Sequence, residues 1–228
     1  MNKKINSDYD NRVVLKPWGK EHIIFRNSDK LSVTYLNIDY KKSTSLHCHS
    51  QKKTGFVILS GKVAIQLGLW KSNFKIYYAP SKLMIRNRLF HSIKSLSKKG
   101  SSLIEIETPY NKKDLVRYKD IYGREKKPYE GHKSMRKISK KEIVFNQNIN
   151  KHVFDNKVEM SLERHKNFKK INKEKIQTIF AILKGNVVDK NNRSVLSIGD
   201  IIKTPTIKKL SEVFKIKKEL TVLKIKKI

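Results

Sequence analysis

Apolar residues in this chain gather in many short Val, Ile, Leu, Phe and Tyr runs separated by Gly, Pro, Asn and Ser. The clearest is Phe56-Val57-Ile58-Leu59, which follows Thr54-Gly55 and is closed by Ser60-Gly61 before Lys62-Val63. That pattern predicts a buried strand, a tight turn and a return strand. The same corner recurs as Phe180-Ala181-Ile182-Leu183-Lys184-Gly185-Asn186-Val187, with Phe, Ile, Leu, Gly and Val in the same places. Glycine is kept where the turn calls for a positive φ. Two further pairs fall into step: Lys82-Leu83-Met84-Ile85-Arg86 with Asp200-Ile201-Ile202-Lys203-Thr204, and Ser102-Leu103-Ile104-Glu105-Ile106-Glu107 with Leu220-Thr221-Val222-Leu223-Lys224-Ile225. Many short strands joined by such turns predict an all-β chain built as two sandwich or barrel lobes.

A flexible N-terminus is expected over 1–12, the first lobe over 13–109 and the second over 143–228. Between them, 110–142 reads as a charged linker. In it, Asp114-Leu115-Val116-Arg117-Tyr118 predicts one or two helical turns, and Ser139-Lys140-Lys141-Glu142 fits a capping box ahead of a short apolar stretch. Disorder is expected only at the extreme N-terminus and from about Arg124 to Lys140.

His47-Cys48-His49 precedes the first corner. On an extended strand residues two apart share a face, so the two imidazoles point one way and Cys48 the other. His91, in the later strand-like run Leu89 to Leu96, would close a three-histidine metal site from across a small barrel. Glu105 and Glu107 are candidate general bases; they alternate with Ile104 and Ile106, so if the isoleucines fill the core the carboxylates face solvent. Lys52, Lys53, Arg86 and Arg88 are candidate phosphate binders, Arg by a bidentate fork and Lys as a point charge.

The second lobe lacks an equivalent site. Shifting the histidine pair by the spacing of the repeated corners lands on Ile171 and Lys173, and His91 shifted with the later strands falls near Lys209. A gapped comparison lays Ser161-Leu162-Glu163-Arg164-His165 on Ser45-Leu46-His47-Cys48-His49, which keeps one imidazole and one carboxylate. His152 and His165 are therefore read as surface residues. The second lobe is read as structural, either covering an edge of the first or building a homodimer.

The formal net charge of +32 invites a polyanionic partner. The lysines, however, are scattered singly and in pairs from Lys3 to Lys227, and no zinc-finger spacing, basic heptad region or aromatic RNA-binding motif accompanies them. No specific nucleic-acid partner is expected. The functional share of the charge would attract an anionic small-molecule substrate, such as a sugar phosphate or nucleotide sugar, or anionic surfaces. The single cysteine, Cys48, excludes an internal disulfide and fits a reducing compartment. Met1 to Arg12 lacks an apolar signal region and no run approaches transmembrane length, so a soluble cytoplasmic protein is expected.

These residues resemble the cupin superfamily, whose first motif is an H-x-H, three or four residues, a Glu, then six residues and a Gly. His47, His49 and Gly61 stand at those places. With the repeat, the chain is similar to a bicupin: all-β, two tandem cupin-like β-barrels of the double-stranded β-helix or jelly-roll kind, the second degenerate. Val14-Leu15-Lys16-Pro17-Trp18-Gly19 is similar to the opening of cupins of the type II mannose-6-phosphate isomerase kind. Glu107-Thr108-Pro109, Asp114-Leu115-Val116-Arg117 and Tyr122-Gly123-Arg124 resemble stretches of bacterial cupins associated with surface-carbohydrate synthesis.

The departures are specific. Thr54 stands at the family's Glu, and Pro80, Arg86, Arg88 and Ser95 stand for the Gly, Pro, Gly and Asn of its second motif. The resemblance implies one divalent metal, Zn, Fe, Ni or Mn, on three neutral histidines. It also implies an isomerase or epimerase acting on a phosphorylated or nucleotide-linked sugar, with the metal as Lewis acid beside a general base. Two other readings stay open: an Fe(II)-dependent dioxygenase, and a non-catalytic cupin that binds a sugar or supports a partner enzyme.

Overall fold

Both copies of the repeated corner are strand-turn-strand units with glycine at the tip, Gly61 at φ +80° and Gly185 at φ +82°. A Cβ on Gly185 would lie 2.0 Å from the carbonyl oxygen of Glu219, so neither the backbone angle nor the space admits a side chain. Gly185→Ala should therefore destabilise the second unit by more than the roughly 1–2 kcal/mol of a left-handed non-glycine residue. A urea titration followed by far-UV circular dichroism would read this, and an unchanged midpoint would contradict it.

The computed structural model describes residues 9–126, 130–145 and 149–228. The chain divides into two units, Met1–Val144 and Phe145–Ile228. In the first, the strands are β1 (Arg12–Lys16), β2 (Gly19–Asn27), β3 (Leu31–Ile38), β4 (Leu46–Cys48), β5 (Lys53–Ser60), β6 (Lys62–Leu67), β7 (Phe74–Tyr78), β8 (Ser81–Ile85), β9 (His91–Ser95), β10 (Ser101–Thr108), β11 (Val116–Lys119) and β12 (Met135–Lys137). One sheet runs β12-β1-β2-β3-β10-β5-β8 and the other β11-β4-β9-β6-β7.

The eight strands β3 to β10 thus fall into two four-stranded layers, β3-β10-β5-β8 and β4-β9-β6-β7, which is the strand order of a jelly roll or double-stranded β-helix. Side chains from both layers share one core: Leu36, Ile38, Phe56, Ile58, Ile85 and Leu103 from the first, and Val63, Ile65 and Ile93 from the second. Alternation along the strands follows: Phe56, Ile58, Leu103, Glu105 and Glu107 lie on the inner faces, with Val57, Ile104 and Ile106 on the opposite ones. Those opposite residues are buried too, between 0% and 1% exposed, and Glu105 and Glu107 do not reach solvent as the expected alternation had it. Burial on both faces of the central strand β10 is the reason.

The stretch 110–142, expected as a linker, contributes two strands to the first unit. β11 pairs with β4, and β12 pairs with β1. Asp114–Tyr118 is not helical; β11 begins at Val116. Ser139 and Glu142 make only half of a capping box: the Ser139 amide and hydroxyl both donate to the carboxylate, while the Glu142 amide donates to the Ser139 carbonyl, which closes a turn with no helix following among the described residues. Of the N-terminus expected to be flexible, Tyr9 is buried and Arg12 opens β1. Residues 1–8, and 127–129 within the stretch expected to be disordered, lie outside the described residues.

In the second unit the strands are β13 (Lys151–Val153), β14 (Val158–His165), β15 (Ile179–Lys184), β16 (Val187–Val188), β17 (Ser194–Leu196), β18 (Ile201–Lys203), β19 (Lys215–Ile216) and β20 (Leu220–Lys227), with one helix, α1 (Thr204–Ser211). Its sheets run β13-β14-β20-β15-β18 and β17-β16-β19. Laid on the first unit, β14-β20-β15-β18 answers β3-β10-β5-β8 and β19-β16-β17 answers β9-β6-β7. The counterpart of β4 is missing among the described residues. Its place between β14 and β15 holds a short 3-10 turn, Ile171–Lys173, which packs Ile171 into the second core.

This explains the degenerate repeat. The strand that carries the histidine pair in the first unit does not form in the second, and the simple shift onto Ile171 and Lys173 marks the right place. The gapped comparison does not hold, because Ser161–His165 belongs to β14, the counterpart of β3. His165 is not a surface residue but is 6% exposed, with its Nε2 bonded to Glu163 at 3.1 Å. Lys224 lies opposite Phe180 as Glu105 lies opposite Phe56, and it pairs with Glu163 and Glu174 at 2.5 and 2.7 Å. A salt-bridged lysine thus stands where the first unit has an inward carboxyl.

Candidate metal centre

His47 lies on β4, His49 one residue beyond its end and His91 at the start of β9, with His47 directly opposite His91 in the ladder. The ring centroids are 4.5 to 5.5 Å apart, and one potential ligand atom from each residue lies within 4.8 Å of the others. Each ring has its Nδ1 against a backbone carbonyl: Ser45 for His47 at 2.9 Å, Asp114 for His49 at 2.5 Å and Leu89 for His91 at 3.0 Å. A carbonyl oxygen only accepts, so Nδ1 carries the proton in all three and Nε2 is left with its lone pair. The Nε2 atoms of His49 and His91 are buried and have no hydrogen-bond partner.

Burial pushes the basicity of all three rings down. The neighbouring imidazoles add to this at His47, which falls well below the usual range. Burial and the Lys52 ammonium take His49 to about 3, and burial takes His91 to about 4. Three neutral rings of fixed tautomer, with orphaned lone pairs converging, are what a divalent cation requires. The residues fit a metal.

Asp114 holds this arrangement in place. Its carboxylate accepts from the Ser50, Gln51 and Lys52 amides and from the Ser50 hydroxyl at 2.6 to 3.0 Å, while its carbonyl accepts from His49. Burial alone would raise its pKa; these donors outweigh burial and hold it below the usual carboxylate range.

Glu105 and Glu107 reach the same region from β10, each with a carboxylate oxygen within 4.8 Å of a His49 ring nitrogen. Glu107 lies directly across the ladder from Thr54, so a carboxylate from the neighbouring strand stands next to the position where the family motif places one. Thr54 is 1% exposed and its hydroxyl has no partner. Glu107 is enclosed by Lys52, Lys112 and the Ser32 hydroxyl. Burial opposes its ionisation, but the Lys112 and Lys52 ammoniums win and hold its pKa far down. Glu105 goes the other way, pushed up by burial and then by the charge of Glu107.

The pocket over these groups has a cavity volume of about 70 Å³ and is lined also by Lys16, Trp18, Glu21, Lys112, Arg117 and Arg124. Arg117 faces His47 in the β11–β4 ladder, and its guanidinium donates to the Arg124 carbonyl at 3.0 Å. Lys16 bridges Glu21 and Glu130, and Arg124 pairs with Asp120 and Glu130. Of the candidate phosphate binders, Lys52 is 1% exposed against Glu107, and Lys53, Arg86 and Arg88 do not line the pocket; the two arginines are exposed. The groups missed by sequence reasoning include Lys16, Lys112, Asp114, Arg117 and Arg124. All but Lys112 lie within the segments that carry the resemblance, Val14–Gly19 and Asp114–Arg124.

No protein-family model and no curated protein sequence matches the chain. Among solved structures, it is similar to the capsular polysaccharide assembling protein CapF from Staphylococcus aureus, at 16% identity and a TM-score of 0.41 over 47% of this chain and 31% of that one. KdgF from Halomonas sp. matches at 13% identity and 0.38 over 42% and 84%. An uncharacterized protein with a double-stranded beta-helix domain from Klebsiella pneumoniae matches at 9% identity and 0.39 over 44% and 79%. The chain spans about a third of the length of the CapF structures, 34% in one and 31% in another. The strand order itself makes the first unit a double-stranded β-helix, and with its three-histidine cluster it has the architecture of a cupin. The second unit is the same fold with one strand lost.

Proposed function

We propose that the first unit is a metal-dependent site acting on a phosphorylated or nucleotide-linked sugar, as an isomerase or epimerase in carbohydrate metabolism. The observation that carries this reading is the pair of buried, unpartnered Nε2 atoms of His49 and His91 beside His47, facing a pocket that also holds a carboxyl group. His47, His49 and His91 would hold the metal, which when bound supplies Lewis-acid polarisation of a substrate oxygen.

Proton transfer falls to Glu105. It lines the pocket, and no described lysine or arginine forms an ion pair with it, whereas Glu107 is locked between Lys52 and Lys112 as their counter-charge. Arg117 joins Lys52, Lys53, Arg86 and Arg88 as a candidate for anion binding, because it lines the pocket next to His47. The single buried cysteine suits a reducing, cytoplasmic setting.

Protein purified without chelator is expected to carry about one equivalent of metal by elemental analysis, and His47→Ala and His91→Ala to lose it. Full occupancy in both variants would end the three-histidine assignment. For the substrate class, a thermal-shift series should show sugar phosphates or nucleotide sugars stabilising the metal-loaded protein, by about 2.7 kcal/mol at a hundredfold excess over Kd. Equal shifts with the neutral parent sugars would remove the anion from the proposal. Oxygen uptake by the iron-loaded protein would favour the dioxygenase reading instead.

A further inference from the structure

The groove on the outer face of the sheet β11-β4-β9-β6-β7 mixes apolar and aromatic side chains with Ser43, Thr44, Gln66 and Ser92, and no acid is among its described lining. Leu69, Phe74, Tyr118 and Ile121 line it together with Lys71, Lys94 and Lys119, and Trp70, between Leu69 and Lys71 in the β6–β7 turn, is 79% exposed. The charge around this face is segregated. None of the chain's 20 carboxylate side chains falls between Asp39 and Glu105, a stretch that carries 13 lysines and arginines and supplies β4, β6, β7 and β9 of this sheet, together with β5 and β8 of the other. β11 adds Arg117 and Lys119 and no acid.

We infer that this face docks on an anionic lipid bilayer. Charge complementarity selects the occupant. Two copies of the face would set lysine against lysine with no carboxylate to pair, which disfavours self-association. A single-stranded nucleic acid would use the rings for stacking but gains little from the aliphatic Leu69 and Ile121. At a bilayer surface every feature is used: Trp70 and Tyr118 suit the headgroup level, Leu69, Phe74 and Ile121 the acyl boundary, and the lysines the negative surface potential. The lysine stems can lie along the apolar side chains while their ammoniums stay in water. Such docking is peripheral, and no helix among the described residues is long and apolar enough to cross a membrane.

The test is co-sedimentation of the full chain with phosphatidylcholine vesicles with and without phosphatidylserine. Binding should require phosphatidylserine and weaken with salt. The double variant Trp70→Ala, Phe74→Ala should partition at least about tenfold more weakly, and Lys71→Glu, Lys119→Glu similarly. The variant Lys208→Glu, Lys209→Glu on α1 makes the same charge change elsewhere and should bind within about twofold of the parent. Circular dichroism and thermal midpoints check that each variant is folded. Equal losses in the α1 control would mean that bulk charge alone is responsible, and equal binding to neutral vesicles would remove the electrostatic basis; either overturns the inference. So would a dimer in sedimentation velocity that Trp70→Ala, Phe74→Ala dissociates, or single-stranded oligonucleotide binding lost in the same variant while vesicle binding persists.

Discussion

Glu107→Ala is expected to destabilise the first unit by about 3–5 kcal/mol, because it strands two buried ammonium groups. Lys52 is 1% exposed and Lys112 4%, and both pair with Glu107, itself 2% exposed. Removing the carboxylate leaves two positive charges in a region already lined by further cations. Adding Lys52→Met to Glu107→Ala should recover part of the loss, since one uncompensated charge is then gone. Both tryptophans, Trp18 and Trp70, lie in the first unit, so the fluorescence transition in urea reports this unit alone. A loss below about 1 kcal/mol would mean that the ion cluster is as dispensable as an exposed salt bridge.

The second large effect is expected at Asp114. Asp114→Ala removes the acceptor of four hydrogen bonds that hold Ser50, Gln51 and Lys52, the loop that continues from His49. Its backbone carbonyl still faces His49 Nδ1, but nothing then anchors the loop to it. Groups that orient a metal-binding histidine typically contribute 10- to 100-fold in affinity, and a drop of about that size is expected in a chelator-competition titration. His49→Ala should abolish binding in the same assay. Unchanged affinity in Asp114→Ala would show that the three rings are positioned by their strands alone.

Asp114 also shows how far the sequence could be read. Its neighbourhood, rich in charge and outside the repeated strands, looked like a linker with a helical turn. In the fold its backbone runs beside β4, and β11 just beyond it pairs with that strand, adding Arg117 to the pocket. Nothing local in Asp114–Tyr118 announces this, because the pairing is with residues some seventy positions earlier. Arg86 and Arg88 show the complementary case: they lie in the loop between β8 and β9, close to His91 in sequence, but are exposed and do not line the pocket, since nearness in sequence to a ligand says little about which way a loop side chain points.

What the sequence determined by itself was local and periodic. The strand-turn corners, the glycines at positive φ, the repeat and the shared face of His47 and His49 all follow from backbone sterics and a two-residue alternation acting over a few positions. The tertiary structure alone decided that β10 is buried on both faces, so that Glu105 and Glu107 enter the site. It also decided that a carboxylate stands across the ladder from Thr54, and that the second unit forms no counterpart of β4 among the described residues. Each depends on strands far apart in the chain meeting across a barrel, and the free energy of burying a charge is set by what surrounds it in space.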